Sequence, residues 1–384
     1  MPPVKPNNLA RLLTLIHHRG TLSRARLTRL TGLNRSTVSV LIGQLVALGL
    51  VYEEAPAGEA QVGRPSPDVR PHPAVAALAV NPEVDAVTIG LVGLGGRVDK
   101  HIRYATERIP SAAEAVNIAA AVIAGMRAEL DANYRVCGIG IAVPGLVTAQ
   151  DGVVRHAPHL GWHDEPVAAM LADATGYPAH AANDASLAAE AEMVFGAGTG
   201  AGNLVYLNGG ASGIGGGIIA EGRLLAGTSG FAGELGHTFV RSNGLRCHCG
   251  ASGCLETEVR QEALLALLRL DGGAPGDLEA ALGASTDPVV HREVSRQIGH
   301  LATALRNVVN VFNPEAIVLD GFLAALHGVA AEELDAAVAA QAIREPAAQV
   351  HISRAALGPD LMMVGAAELA FAALLADPAG GGVR

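Results

Sequence analysis

Glu234-Leu-Gly-His237 and, after nine further residues, Cys247-His-Cys249-Gly-Ala-Ser-Gly-Cys254-Leu-Glu256 form the most informative stretch of this 384-residue chain. The stretch contains three of the chain's four cysteines. Thiolates and imidazoles are the ligands that Zn²⁺ takes in a tetrahedral structural site, and four of them complete it. A disulfide with a spare thiol is the alternative, which the odd number of cysteines disfavours. The stretch therefore predicts a structural zinc site with the ligands His237, Cys247, Cys249 and Cys254.

The charge of the chain is unevenly distributed. Residues 1–52 contain seven Lys and Arg side chains and no Asp or Glu, which leaves 20 basic and 37 acidic side chains in the rest. A small cationic segment on an anionic body predicts that this segment contacts a polyanion. No stretch has the pattern of a signal peptide or a membrane span, so the sequence favours a cytoplasmic protein without a membrane partner.

The basic segment has the pattern of a winged helix-turn-helix. Apolar residues at helical spacing predict a first helix ending near Gly20, a second before Gly32 and a third beginning at Asn34. The predicted buried face of the third helix consists of Val38, Leu41, Leu45 and Leu48. Residues 50–53 have the pattern of a wing strand. In such a domain the third helix enters the major groove of DNA. A three-helix protein-interaction module is the alternative.

Polar side chains at the start of the third helix are the candidate DNA contacts, namely Asn34, Arg35, Ser36, Thr37 and Ser39. Arg64 is a further candidate, because it stands between Gly63 and Pro65 in a linker too rich in Pro and Gly to be helical. An Arg in such a segment can reach a minor groove, and a solvated linker side chain is the equal alternative. The expected partner is a double-stranded, pseudo-palindromic DNA operator.

Strand and helix patterns alternate from about residue 75. Strands are predicted at 75–80, 86–92, 98–104, 136–143, 204–207, 214–220 and 316–319. Helices are predicted at 111–130, 166–175, 186–195, 289–312 and 324–342. The alternation predicts an α/β body of two lobes with a cleft between them. The expected domains are 1–60 for the DNA-binding domain, 61–74 for the linker, 75–183 and 184–376 for the lobes, and 377–384 for a disordered tail.

Two further motifs in the body each allow two interpretations. The glycine-rich segment 213–217 follows an apolar strand, and it either holds an anion on its N–H groups or only permits a tight hairpin. Asn183-Asp184 stands at a predicted helix start, where it either caps the helix or binds a polyol. Neither a Walker phosphate loop nor a strand-linked G-x-G-x-x-G fingerprint occurs.

Taken together, these motifs resemble those of the ROK family, which groups sugar-responsive repressors with sugar kinases. The resemblance covers nearly the whole chain and implies an actin-like, hexokinase-like body of two lobes with an N-terminal, all-α winged helix-turn-helix domain. It also implies the residues that contact the sugar, namely Asn183, Asp184, Glu234, His237 and Glu256. In the kinase members the carboxylate that matches Asp184 is the general base. The zinc ion would hold the loop that orients the other contacts.

The chain departs from the kinase pattern on the nucleotide side. Where the kinases have an Asp-x-Gly-x-Thr phosphate loop, residues 81–85 read Asn-Pro-Glu-Val-Asp. Asp320 and Phe322 stand where the kinases tend to have glycine, and His159 replaces an Asn that is frequent in relatives near the sugar. Because phosphoryl transfer depends on positioning and charge neutralisation, losing the phosphate cradle is expected to abolish it, which leaves Asp184 a vestigial general base.

The sequence therefore predicts a sugar-responsive DNA-binding regulator, most simply a repressor, that acts as a homodimer or a higher homo-oligomer. It is not expected to be an enzyme. An active sugar kinase with an appended DNA-binding domain is the alternative. A third interpretation is a DNA-binding protein whose body only assembles subunits.

Overall fold

The computed structural model describes residues 7–55, 67–210, 213–271 and 275–380. The chain folds into two compact units. One consists of the residues up to Ala182 together with the segment from Met362 onward, and the other is Asn183–Leu361. Arg64 and residues 61–66 of the predicted linker lie outside the described residues, as do the last four residues of the predicted tail.

The N-terminal part of the first unit is here called the head domain (residues 7–55 and 68–71). Its elements are α1 (Asn8–Arg19), β1 (Leu22–Ser23), α2 (Arg24–Thr31), α3 (Arg35–Ala47), β2 (Val51–Glu54) and β3 (Asp68–Pro71). All three helices begin at a side-chain cap, which satisfies backbone N–H groups that a helix leaves without partners. Gly32 has a φ of 71° between α2 and α3, so this turn suits glycine.

The wing of the head domain differs from the prediction in two respects. It is a three-stranded sheet of order β1-β3-β2, so the domain contains a sheet besides its helices and is not all-α. Its central strand β3 lies in the segment that was predicted to be linker. This segment forms a strand because pairing with β1 and β2 satisfies its backbone N–H and C=O groups. On α3, Ile42 is buried in place of the predicted Leu41, and Leu48 is exposed.

The rest of the first unit contains a mixed five-stranded sheet of order β11-β7-β4-β5-β6 and a small sheet of order β10-β9-β8 that the sequence did not predict. The strands are β4 (Val75–Pro82), β5 (Ala86–Gly93), β6 (Arg97–Ala105), β7 (Arg135–Val143), β8 (Leu146–Val147), β9 (Val154–Ala157), β10 (Trp162–Glu165) and β11 (Ala179–Asn183). The helices are α4 (Ala112–Asn133) and α5 (Val167–Thr175).

The second unit is built on a five-stranded sheet of order β14-β13-β12-β15-β16. Its strands are β12 (Leu204–Gly210), β13 (Gly213–Ala220), β14 (Arg223–Leu224), β15 (Ala316–Gly321) and β16 (His351–Arg354). The helices are α6 (Asp184–Phe195), α7 (Leu255–Glu258), α8 (Gln261–Leu268), α9 (Pro275–Ala284), α10 (Pro288–Phe312), α11 (Phe322–Gln341) and α12 (Arg344–Ala347). When the strands of each five-stranded sheet are numbered in chain order, both sheets have the strand order 3-2-1-4-5. This repeated order is the duplicated architecture of the predicted fold.

The last helix of the chain, α13 (Leu361–Ala376), belongs to the first unit, whereas the sequence assigned residues up to 376 to the second lobe. The reason is close packing: a Cβ built at Gly140 of β7 would lie 1.7 Å from the Ala366 carbonyl oxygen. By length and composition α13 is apolar enough to cross a membrane, and half of that apolar window is buried inside the protein. A core helix of a soluble protein has the same composition, so this is weak evidence for a membrane span.

Gly140→Ala is expected to destabilise the first unit, because the added methyl group meets the backbone of α13. Overpacking at a backbone contact lowers the free energy of unfolding by about 2–3 kcal/mol. Gly125→Ala on α4 is the matched control: nothing lies within 4 Å of its added Cβ, and replacing a helical glycine stabilises by about 0.5–1 kcal/mol. Urea unfolding followed by circular dichroism measures both variants. Equal stability of the two would contradict the packing of α13 on β7.

Candidate functional site

The four predicted metal ligands lie together in the second unit. The ligand atoms of His237, Cys247, Cys249 and Cys254 all lie within 4.8 Å of one another. Cys247 Sγ is 3.5 Å from His237 Nδ1, and Cys249 Sγ is 3.7 Å from Cys254 Sγ. A tetrahedral Zn²⁺ with bonds of 2.0 to 2.3 Å separates its ligand atoms by roughly 3.3 to 3.8 Å. The donor set and its spacing therefore fit a structural zinc ion.

The buried thiols of the cluster hold their protons firmly when no cation is bound. Burial raises the pKa of both Cys247 and Cys254, and Cys247 also donates its thiol proton to Glu256 Oε1 at 2.9 Å. The backbone N–H of Ala251 lowers the pKa of the exposed Cys249. Two buried thiols become thiolates when a cation replaces their protons, which is what a metal site requires.

The loop that carries the cysteines is held by a buried carboxylate. Glu258 is only 1% exposed and accepts hydrogen bonds from the Leu245 N–H at 2.9 Å and from Arg241 Nη1 at 3.0 Å. Burial raises the pKa of Glu258, but these two bonds outweigh it and the pKa lies below its ordinary value. Glu258 is the last residue of α7, one helical turn after Cys254. Its hydrogen bonds therefore connect residues 241–245 to the helix that begins directly after the last cysteine.

The glycine-rich segment 213–217 belongs to the strand β13. Other backbone packs against both of its faces. A Cβ at Gly217 would lie 2.7 Å from the Ala185 carbonyl of α6, and one at Gly216 would lie 2.7 Å from the Gly233 carbonyl. Glycine is required here because any side chain would separate these segments. The strand thus brings the start of α6 and the segment after Gly233 close to the same sheet.

The predicted sugar contacts Asn183 and Asp184 form the start of α6. Asn183 is the helix cap, since its Oδ1 accepts the Ser186 N–H at 2.9 Å. Its amide nitrogen donates to Asp184 Oδ1 at 3.2 Å, and the Ala185 N–H donates to the same oxygen at 2.8 Å. Burial raises the pKa of Asp184 to about 6, although the backbone bonds oppose it; the charge of Glu234 adds to the rise. Capping and ligand binding are thus compatible in this dipeptide.

His237 connects the metal cluster to the acidic residues. Its Nδ1 faces Cys247, and its Nε2 is 3.9 Å from Glu234 Oε2. Glu256 Oε1 lies 3.4 Å from His237 Nδ1, and a Cβ built at Gly213 would meet Glu256 Oε2 at 2.6 Å. Burial raises the pKa of Glu234 as well. The five predicted sugar contacts are therefore grouped around the metal cluster and β13 within one unit.

His248 is a site residue that the sequence analysis missed. Its Nδ1 lies 3.2 Å from Glu256 Oε1, and His237, His248 and Glu256 form a second group that can hold a metal ion. Its position between Cys247 and Cys249 was the available signal. Spacing did not identify it because the four other ligands already complete a tetrahedral set.

The nucleotide-side departures lie in different environments. Asp320 accepts a hydrogen bond from the buried Tyr206 hydroxyl at 2.7 Å and from the Gly321 N–H at 2.7 Å. Phe322 is 2% exposed and packs beneath Gly209 in the core, so its ring points inward. Asp320 is half-buried, so of these two replacements it is the one that places a charged group at the sheet.

The hairpin that replaces the first phosphate loop lies in the first unit, between β4 and β5. Asn81 is buried, and Glu83 and Asp85 both pair with Arg103 of β6, at 3.6 and 2.7 Å. His159 is half-exposed in the turn between β9 and β10. The carboxylates of this hairpin are thus held by protein cations.

The predicted DNA contacts are at the start of α3. Asn34 is its cap, and Oδ1 accepts from the Thr37 N–H at 2.8 Å and the Ser36 hydroxyl at 2.7 Å. Arg35 and Ser36 are exposed and Thr37 is half-buried. Ser39 accepts from Arg24 Nη1 at 2.8 Å, and Arg24 also holds Glu53 of the wing. Arg24 was not predicted; it links α2, α3 and β2.

The fold and the site define a sugar-kinase-like body of two lobes joined to a winged helix-turn-helix domain. The ROK family profile matches residues 85–373, and a MarR family profile matches residues 6–60. The chain belongs to the ROK family.

Among its relatives, the xylose repressor of Bacillus spizizenii is 31% identical over 82% of each chain. The glucokinase of Halalkalibacterium halodurans is 33% identical over 63% of this chain and 79% of its own. The crystal structure of a ROK family transcriptional regulator, a homologue of the E. coli MLC protein, has a TM-score of 0.78 at 26% identity and 96% coverage of both chains. Because it covers 96% of this chain, the regulator structure matches the head domain as well as the body.

Cys254→Ser is expected to empty the metal centre, because it replaces a buried thiolate ligand with a hydroxyl. Metal analysis of protein purified without chelator is expected to give about one Zn²⁺ per wild-type chain and almost none in the variant, with a Tm lower by about 5–10 °C. Cys137→Ser, at the one cysteine outside the cluster, is the control and keeps the metal. A wild-type protein without bound metal would refute the assignment.

Asp184→Asn is expected to stabilise the folded protein at neutral pH. The pKa of Asp184 is raised to about 6 from 3.8, so the folded state favours the protonated acid and loses stability as pH rises between these values. After discounting for partial exposure, the variant gains about 1–2 kcal/mol at pH 7.5 and about a third of that at pH 4.5. Urea unfolding at both pH values measures the gain. Asp335→Asn, an exposed carboxylate on α11, is the control, and an equal gain in both variants would contradict the shift.

Proposed function

We propose that this protein is a sugar-responsive transcriptional repressor that binds a DNA operator with its head domain and a sugar in its second unit. The grouping of Asp184, Glu234, His237 and Glu256 around a metal centre, in a chain that also carries a winged helix-turn-helix, supports this proposal. The named repressors among its relatives support the same class. The protein acts in the cytoplasm, where its operator is, and as a homodimer on a two-fold operator.

The chemistry of the grouped residues suits a sugar. Carboxylates accept hydrogen bonds from neighbouring hydroxyl groups, and such charge-assisted bonds are stronger than neutral ones. His237 binds the metal through Nδ1 and offers Nε2 to a hydroxyl group. Zn²⁺, when bound, offsets the charge of the thiolates and fixes the ring of His237. Because one relative is named for xylose and another for glucose phosphorylation, D-xylose and D-glucose are the first effectors to test.

Phosphoryl transfer is the less favoured function. Transfer from ATP needs a cradle that neutralises the phosphates and their metal ion. Here the hairpin after β4 carries Glu83 and Asp85, and β15 presents Asp320 on the nucleotide side. Arg103 pairs with both hairpin carboxylates but offsets only one of their two charges, so a net negative charge remains to repel phosphate groups. We therefore infer that the body has lost ATP binding and that Asp184 now only binds a sugar hydroxyl.

Control of DNA binding follows from population shift. A sugar that binds one arrangement of the two units better than the other shifts the protein toward it, and operator affinity changes by the ratio of the two affinities. Coupling of this kind is typically about 5- to 150-fold. Because the Lys and Arg side chains of residues 1–52 displace counterions from DNA phosphates, the operator affinity is also expected to fall as the salt concentration rises.

The test begins with selection of an operator from a random DNA pool by the purified protein. D-xylose or D-glucose is expected to weaken operator binding by tenfold or more, within the usual range of allosteric coupling. Asp184→Asn is expected to keep the operator affinity and lose the response, whereas Asp335→Asn keeps both. Operator affinity that does not change with either sugar, or with a broad panel of sugars, would exclude the proposal.

A coupled assay with ATP, Mg²⁺ and the same two sugars tests the kinase alternative. No turnover is expected from the wild-type protein. Turnover that disappears in Asp184→Asn would establish a kinase with an appended DNA-binding domain. A body that only assembles subunits predicts no change in Tm with any sugar, since a ligand of the native state raises Tm.

A further inference from the structure

A fully buried histidine lies where the head domain meets the rest of the first unit. His17 on α1 is 0% exposed, although its ring carries two polar nitrogen atoms. Its Nε2 lies 2.7 Å from Glu368 Oε1 on α13, and the ring of Phe371 on the same helix packs against it at 5.4 Å. A fully buried ring with two polar atoms needs a partner for each of them.

The second partner fixes the protonation of the ring. The Gly95 N–H, in the turn between β5 and β6, donates to His17 Nδ1 at 2.8 Å. Nδ1 is therefore an acceptor, and the single ring proton is on Nε2, from where it is donated to the Glu368 carboxylate. One neutral histidine thus joins three segments that are distant in sequence: α1 of the head domain, the β5–β6 turn and α13.

A metal ion between His17, His18 and Glu368 is the competing explanation, since their ligand atoms lie within 4.8 Å of one another. A metal bound to Nε2 would require the ring proton on Nδ1, where the Gly95 N–H already donates. Two donors would then face each other in a buried site. The geometry favours a hydrogen bond without a metal.

Helix α13 connects the contact at His17 to the second unit along the chain. It begins at Leu361, the last residue of the second unit, and Met362 is the first residue of the returning part of the first unit. The N-terminal end of α13 is therefore joined covalently to the unit that contains the sugar site. Its backbone packs tightly at Gly140, so the helix is held as a rigid body.

We propose that His17 is a positioning residue that latches the head domain to α13, so that the orientation of the head domain follows this helix when a sugar binds. The inference rests on the proposed function, because it names the contact by which the second unit controls DNA binding. In a two-headed assembly, heads of fixed orientation accept only one spacing of the operator half-sites.

The test compares variants that break the latch with variants that keep it. His17→Leu removes both hydrogen bonds from α1, and Glu368→Ala removes the acceptor from α13, so one can stand for the other if either fails to fold. Glu368→Gln keeps an oxygen acceptor for His17 and is the conservative variant. His18→Gln is the matched control, because His18 Nε2 is 3.9 Å from Glu368.

Half-site spacing and sugar response are the functional measurements. Inserting two base pairs between the half-sites is expected to weaken wild-type binding about tenfold or more, because the two heads no longer engage together. The broken-latch variants are expected to lose less than about threefold on this insertion, and their response to the effector sugar is expected to fall below about twofold. Glu368→Gln and His18→Gln should behave as the wild type. A contact that only stabilises the fold would lower Tm and leave both measurements unchanged.

Hydrogen exchange and metal content complete the test. The Gly95 amide is expected to exchange at least about tenfold faster in His17→Leu than in the wild type, because it loses its acceptor. Folded broken-latch variants with wild-type spacing selectivity and sugar response would overturn the proposal, as would a loss of bound metal in His17→Leu. If the wild-type protein selects no operator DNA, the proposed function is wrong. The latch is then tested by hydrogen exchange, and an unchanged exchange rate of the Gly95 amide in His17→Leu would refute it.

Discussion

The second unit depends on a strand, β13, in which four of the eight residues are glycine. Along β13, glycine lets the carbonyl of Gly233 approach from one face and α6 approach from the other. These approaches are closer than any Cβ would permit, since a methyl group at Gly236 would lie 2.0 Å from the Ile214 carbonyl. The start of α6 and the segment around His237 are therefore held to the same strand. The acidic residues of the site come together because β13 has glycine where these segments approach it.

The metal cluster and the acidic residues are one electrostatic system. Glu234, Glu256 and Asp184 lie near three cysteines whose ligand form is anionic, and burial raises the pKa of several of these groups. His237 lies between both parts, with one ring nitrogen facing Cys247 and the other facing Glu234. A divalent cation bound in the cluster would offset this charge and so also change the electrostatics around the carboxylates.

The two units are related by the order of their sheets, and their terminal helices are exchanged. The helix after the fifth strand of the first unit is α6, which packs on β12 and β13 of the second unit. The helix after the fifth strand of the second unit is α13, which packs in the first unit and holds His17 through Glu368. Helix α13 thus both completes the first unit and carries Glu368, which contacts His17 of the head domain.

Local chemistry and periodicity determined much of this protein from the sequence alone. The grouping of His237 with the three clustered cysteines, the helix start at Asn34 and the predicted strands of the body all follow from side-chain chemistry or from short-range spacing. Only the tertiary structure decided which unit receives α13, that β3 completes the wing, which backbone segments pack against the glycines of β13, and that His17 is a buried contact. These features depend on approach between segments far apart in the chain. No local pattern encodes which distant backbone a glycine or a histidine will meet.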